Sequence, residues 1–185
     1  MKLRTMLPAA AVTIGAALLA AGPAGATTAS ETLSAGSLGF ASTPGNVTFP
    51  GTTLNGQDKT VTASQPLDIA DATGSGAGWN ITATSTLFKS GTYSLPAGAT
   101  TIGSAPTAPA CDTNVTCTPA GTTTVSYPYS LPAGTNATAT KVFNAPAGTG
   151  MGDQTVTPTW TLAIPANAYA GNYTSTWTLS LVSGP

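Results

Sequence analysis

Five stretches of this chain alternate apolar and small polar residues with a period of two. Tyr173, Ser175, Trp177, Leu179 and Leu181 share one face, and Thr174, Thr176, Thr178 and Ser180 share the other. Val156, Pro158, Trp160, Leu162 and Ile164 stand opposite Thr155, Thr157, Thr159 and Thr161. The same pattern joins Trp79, Ile81, Ala83, Ser85 and Leu87; Val125, Tyr127, Tyr129 and Leu131; and Val61, Ala63, Leu67 and Ile69. Successive side chains of an extended strand point to opposite faces, so this alternation predicts half-buried antiparallel strands. Threonine fills the outer faces because it favours strands and tolerates water. Clusters rich in Gly and Pro at 73–78, 95–98, 145–152 and 165–171 punctuate the runs. The predicted fold is all-β: an antiparallel β-sandwich with Gly/Pro-rich loops.

Tyr93-Ser94-Leu95-Pro96-Ala97-Gly98 recurs as Tyr129-Ser130-Leu131-Pro132-Ala133-Gly134. The flanks do not keep this spacing, so the pair reads as two strand ends entering similar Pro-Gly turns rather than as a solenoid. Between them, 95–122 reads as an exposed excursion between strands. It contains the only two cysteines, Cys111 and Cys117.

At the N-terminus, Lys2 and Arg4 precede an almost wholly apolar run from Met6 to Ala21, followed by Ala24-Gly25-Ala26. Small residues after a short apolar run are what a signal peptidase reads, and the run is too short and Ala-rich to favour spanning a bilayer. Residues 1–26 are therefore expected to be a cleaved secretory signal peptide. Residues 27–31 then form a short N-terminal segment, and 32–185 one β-domain with no transmembrane segment. In an exported chain Cys111 and Cys117 read as a structural disulfide, closing a small polar loop and contributing about 2 kcal/mol through the unfolded chain.

Composition removes whole classes of chemistry. The chain has 185 residues, no His, five Lys or Arg and six Asp or Glu, so only 6% of it is charged; about 25% is ordinary. Without Lys2 and Arg4, three Lys face six acids, a net charge of −3. Nucleic acid is excluded as a partner because no basic surface is available to neutralise phosphates. Hydrolases with a His base and His-containing zinc sites are excluded too.

Asp68 and Asp71 form the one close pair of carboxylates, with Asp58, Asp112 and Asp153 apart from them. Three residues apart on a strand they point to opposite faces, which does not suit a glycosidase pair. Calcium held by Asp68, Asp71 or Asp153 lacks any EF-hand spacing, so these acids read as solvated loop residues, with no metal and no cofactor. No catalytic residues are assigned.

Gly78-Trp79-Asn80-Ile81-Thr82, preceded by Leu67-Asp68-Ile69-Ala70-Asp71, resembles the first signature of the WxL domain of Gram-positive surface proteins. Ile164-Pro165-Ala166, Ala170-Gly171-Asn172-Tyr173-Thr174 and Trp177-Thr178-Leu179, with Pro185 beyond, are similar to its second. Leu33 to Leu38 and Val47-Thr48-Phe49 resemble its first strands. The chain departs from the pattern at Ile81, where the family has Leu. Anchored on Tyr173 and Pro185, its second Trp-x-Leu sits two residues early; a shift of two keeps the same strand face. This is a divergent WxL-like domain.

The resemblance implies a secreted, non-catalytic surface protein of a Gram-positive bacterium that associates non-covalently with the cell wall through peptidoglycan or another wall glycan. It also implies contacts with other surface proteins. Trp79, Trp160 and Trp177 are the candidate ligand-binding residues, because aromatic rings stack on the apolar faces of sugars. The competing expectation for each is core packing, since all three lie on apolar faces of alternating strands. The alternative function is a structural or assembly subunit of a surface complex with no direct glycan binding.

Overall fold

A computed structural model describes residues 27–185. The expected signal peptide lies outside the described residues. Thr27 to Leu33 carry no regular element, and the strands fall in a second unit, Ser34–Pro185.

Thirteen strands make this unit: β1 (Leu38–Phe40), β2 (Lys59–Ser64), β3 (Leu67–Asp71), β4 (Trp79–Ser85), β5 (Lys89–Ser90), β6 (Tyr93–Ser94), β7 (Thr100–Ile102), β8 (Ala110–Cys111), β9 (Tyr129–Ser130), β10 (Thr140–Ala145), β11 (Gly152–Val156), β12 (Thr159–Ile164) and β13 (Trp177–Ser183). Every pairing between them is antiparallel. The sheets run β1-β3-β11-β8, β2-β12-β7-β9 and β10-β4-β13, with β5-β6 as a separate hairpin. The described residues contain no helix.

The first two sheets are halves of one layer. β2 continues into β3, and β11 into β12, across Gln65-Pro66 and Thr157-Pro158. Proline has no N–H to donate, so the ladder is interrupted there. The Gln65 N–H still bonds to the Pro158 carbonyl at 3.0 Å. The β10-β4-β13 sheet covers both halves. Its Ile81, Phe143 and Leu181 pack with Leu67, Ile69 and Val156, and its Ala83 and Val142 pack with Ile102 and Trp160. A register shift between Lys141 and Phe143 lets two successive large side chains, Val142 and Phe143, both enter the core.

The expected alternation is present on β3, β4, β12 and β13. Two expectations need correction. Regular pairing in the 125–131 run is confined to Tyr129–Ser130, because Pro128 cannot donate to a ladder. The 95–122 segment is not wholly an exposed excursion: Leu95, Ala99, Thr100 and Ile102 are buried, and β7 pairs with both β12 and β9. Three residues are too few to display a period. Both copies of the Tyr-Ser-Leu-Pro repeat end strands, β6 and β9, and bury Leu95 and Leu131.

Candidate functional site: an aromatic groove beside Trp177

The three tryptophans occupy different environments. Trp79 is fully buried, and its indole N–H donates to the Gly150 carbonyl at 2.8 Å. The backbone around it depends on two glycines. Gly78 has φ +74°, and a Cβ there would strike the Ala145 and Pro146 carbonyls. Gly150 has φ +80°, and a Cβ there would strike the Trp79 ring. Trp160 is also fully buried, donating to Gln65 Oε1 at 3.0 Å. Both indoles therefore spend their one donor inside the protein and present no face to a ligand. Trp79 and Trp160 pack in the core.

Trp177 is different. It opens β13 half-buried, standing edge-on to Trp160 with ring centres 4.8 Å apart. Its outer side joins Phe49 and Phe88, at 6.5 and 6.4 Å, and those two rings meet at 6.0 Å. Together they form part of the wall of an open groove of about 1100 Å³.

Two segments largely outside the long strands wall this groove, with Val61, Leu162, Ile164 and Leu179 of β2, β12 and β13 beside them. One is 44–54, where Pro44, Gly45, Pro50 and Gly51 prevent regular pairing. It is held by the Gln65 amide, which donates to the Gly45 carbonyl at 2.9 Å, and by Val47 and Phe49 against the core. The other is 168–177, which follows a turn closed by the Ala168 N–H on the Pro165 carbonyl at 2.9 Å. Thr174 and Lys89 exchange backbone bonds of 2.9 Å, and the Thr176 N–H donates to Thr86 Oγ1 at 2.9 Å. A Cβ at Gly171 would strike the Ser90 side chain, so the segment lies close on the β5-β6 hairpin. At the groove's edge Tyr169 is 59% exposed, stacked on exposed Tyr93 with ring centres 3.8 Å apart. The Tyr173 hydroxyl donates to the Tyr169 carbonyl at 3.0 Å.

A second cluster lies on the β1-β3-β11-β8 sheet. Carboxylate oxygens of Asp68, Asp112 and Asp153 lie within 4.8 Å of one another. This corrects the reading of Asp68 and Asp153 as loop acids. They sit on paired strands and share a face, since Thr155 lies opposite Asp68 and Asp153 precedes Thr155 by two. Asp71, also read as a solvated loop acid, instead ends β3 on the other face, buried, accepting from the Thr73 N–H at 3.0 Å and its hydroxyl at 2.6 Å.

Asp112 is brought in by β8 and the disulfide that follows. Its N–H bonds to the Asp153 carbonyl at 3.1 Å, and it accepts from Thr155 Oγ1 at 3.0 Å. Cys111 and Cys117 are bonded, as expected. Oδ1 of Asp68 and of Asp153 are both buried without a partner. Desolvation, then the charges of Asp68 and Asp112, push the Asp153 carboxyl above the usual carboxylate range. These are the residues a hard cation can draw on, though three carboxylates fall short of the roughly six to eight oxygens calcium takes. None of them lines the groove.

The sequence motifs at 47–49, 170–174 and Trp177 lie along the groove, but periodicity alone did not bring them together. Phe49 and Phe88 lie outside the alternating runs, and the 44–54 wall has no period. Among the described residues, no helix is long and apolar enough to cross a membrane.

The chain matches the family model of the WxL domain, described as a surface cell wall-binding domain, over residues 22–185. No curated protein and no solved structure matches. The family match covers most of the chain, including both Trp-bearing signatures and the two segments that wall the groove, and the chain belongs to the WxL family of surface domains that bind the cell wall.

Proposed function

We propose that this domain holds itself on the wall without covalent attachment or catalysis, by gripping peptidoglycan in the groove beside Trp177. The observation that carries this reading is the groove: an open channel with half-buried rings of Phe49, Phe88, Tyr173 and Trp177 along it. Aromatic faces can pack against the C–H faces of sugar rings, and neighbouring amides and hydroxyls such as those of Asn46, Asn172 and Thr174 can meet their hydroxyls. The non-catalytic reading is supported by the lack of histidine in this chain and by the placement of the acidic cluster outside the groove.

Co-sedimentation with purified peptidoglycan tests this. The protein should pellet saturably, and Trp177→Ala should weaken binding while circular dichroism stays unchanged. Tyr169→Ala serves as a second variant at an exposed position, where folding is not at stake. If the wild type does not pellet, the reading fails. A shift to high mass in size-exclusion chromatography without glycan would then favour an assembly subunit.

A further inference from the structure

The chain's few charges are distributed unevenly around the groove. Twenty-eight residues line it, and not one is Lys, Arg, Asp or Glu. The polar groups offered are amides and hydroxyls, from Asn46, Asn172, Thr48, Thr174 and Ser175 among others. Gln65 is already engaged, its amide nitrogen on the Gly45 carbonyl and its oxygen on Trp160.

Lys59 and Lys89 pair through their backbones with the wall residues Ile164 and Thr174, but neither lines the groove. Lys141 donates to the Pro185 carbonyl at 2.7 Å. Asp58 accepts from the Ala166 N–H at 2.7 Å, and neither of these residues lines the groove.

An anionic ligand entering such a channel would lose water and find no cation in return, and an unpaired charge in an apolar setting is costly. Sites for phosphates and carboxylates carry Arg or Lys for this reason. A zwitterionic peptide meets the same obstacle at both of its charged ends. An uncharged sugar chain does not, because rings and neutral hydrogen-bonding groups suffice for it. The volume of about 1100 Å³ also exceeds the roughly 300–1,000 Å³ of a single small-molecule site, which suits several sugar units in a row.

We infer that the groove takes an uncharged stretch of glycan strand, and that neither a stem peptide nor an anionic wall polymer is its ligand. This rests on the wall-binding reading of the groove. It adds that attachment is independent of charge.

Three arms test it, all with the intact protein and purified sacculi. First, binding is measured from about 0.1 M to about 1 M NaCl, over which the screening length falls from roughly 10 Å to 3 Å. The apparent affinity should stay within about twofold, because screening acts on charge pairs. Second, an oligomer of N-acetylglucosamine, an isolated stem peptide and a glycerol phosphate polymer are each added in excess. Only the first should release the protein. Third, Lys59→Gln with Lys89→Gln should bind as the wild type does.

A tenfold or greater loss in high salt or in the double variant overturns the inference. So does release by the peptide or the phosphate polymer, or failure of the neutral oligomer to release. In those cases pelleting still occurs and the wall-binding reading stands. If the wild type does not pellet at all, that reading fails and the inference falls with it.

Discussion

The hydrogen bond between Trp160 and Gln65 joins the core to the groove, and Trp160→Phe measures what it contributes. Gln65 is 4% exposed and lies at the break between β2 and β3, where its oxygen accepts from the indole and its nitrogen holds the 44–54 wall. Phenylalanine removes the donor and leaves a buried carbonyl oxygen unpaired, which costs about 1–3 kcal/mol. It also retracts the ring from Tyr129 and Trp177, now 6.4 and 4.8 Å away. Each such aromatic pair is worth roughly 0.5–1.5 kcal/mol, and a phenyl keeps part of it.

A total near 3 kcal/mol is expected, which lowers Tm by about 6–12 °C for a domain of this size. Gln65→Met costs stability too, because the Gly45 carbonyl loses its donor and the buried Trp160 indole N–H loses its acceptor. In the double variant, however, the orphaned oxygen is gone. Urea unfolding of the wild type, both single variants and the double should show the pair less destabilised than the sum by about 1–2 kcal/mol. Additivity to within about 0.5 kcal/mol would refute the reasoning, because it would mean the indole and amide do not interact. Since Trp160 backs Trp177, the single variant should also bind sacculi more weakly at temperatures where it remains folded.

Three further outcomes follow from the same structure. Asp153 has a folded pKa raised above its ordinary value of 3.8, so ionising it costs stability as pH rises through the folded pKa, and below the unfolded value nothing is lost. Asp153→Asn should therefore melt higher than the wild type at pH 7, with the difference closing near pH 3; an equal gap at both would refute the cause. The Tyr127 hydroxyl donates to the Val142 carbonyl, and desolvation pushes its pKa up to about 12. Stability should fall as pH rises from about 10 towards 12, and Tyr127→Phe should blunt that fall while costing about 1 kcal/mol at pH 7. Replacing Cys111 and Cys117 with Ser should cost roughly 2 kcal/mol in urea unfolding through a freer unfolded chain, with sacculus binding unchanged because the loop is not part of the groove.

The fold class and the inward faces of β3, β4, β12 and β13 can be read from the chain alone, whereas β10, with Val142 and Phe143 both inward, cannot. Side-chain direction in a strand is set by the backbone one residue at a time, so a period of two in Trp79–Ser85 or Thr159–Ile164 is enough to orient them. The disulfide was equally legible, because two cysteines close in the chain are close in any fold.

How deep an inward face lies is a different matter. Trp79, Trp160 and Trp177 carry the same local signal, yet only Trp177 emerges at an edge of the sandwich where an irregular segment replaces a strand. That difference depends on what the opposite layer covers, which residues far away in sequence decide. The meeting of Asp68, Asp112 and Asp153 comes from strand register and a disulfide-closed loop, and the groove from two segments more than a hundred residues apart, of which 44–54 carries no period. Periodicity is a property of neighbours along the chain, whereas burial, charge clusters and cavities are properties of neighbours in space.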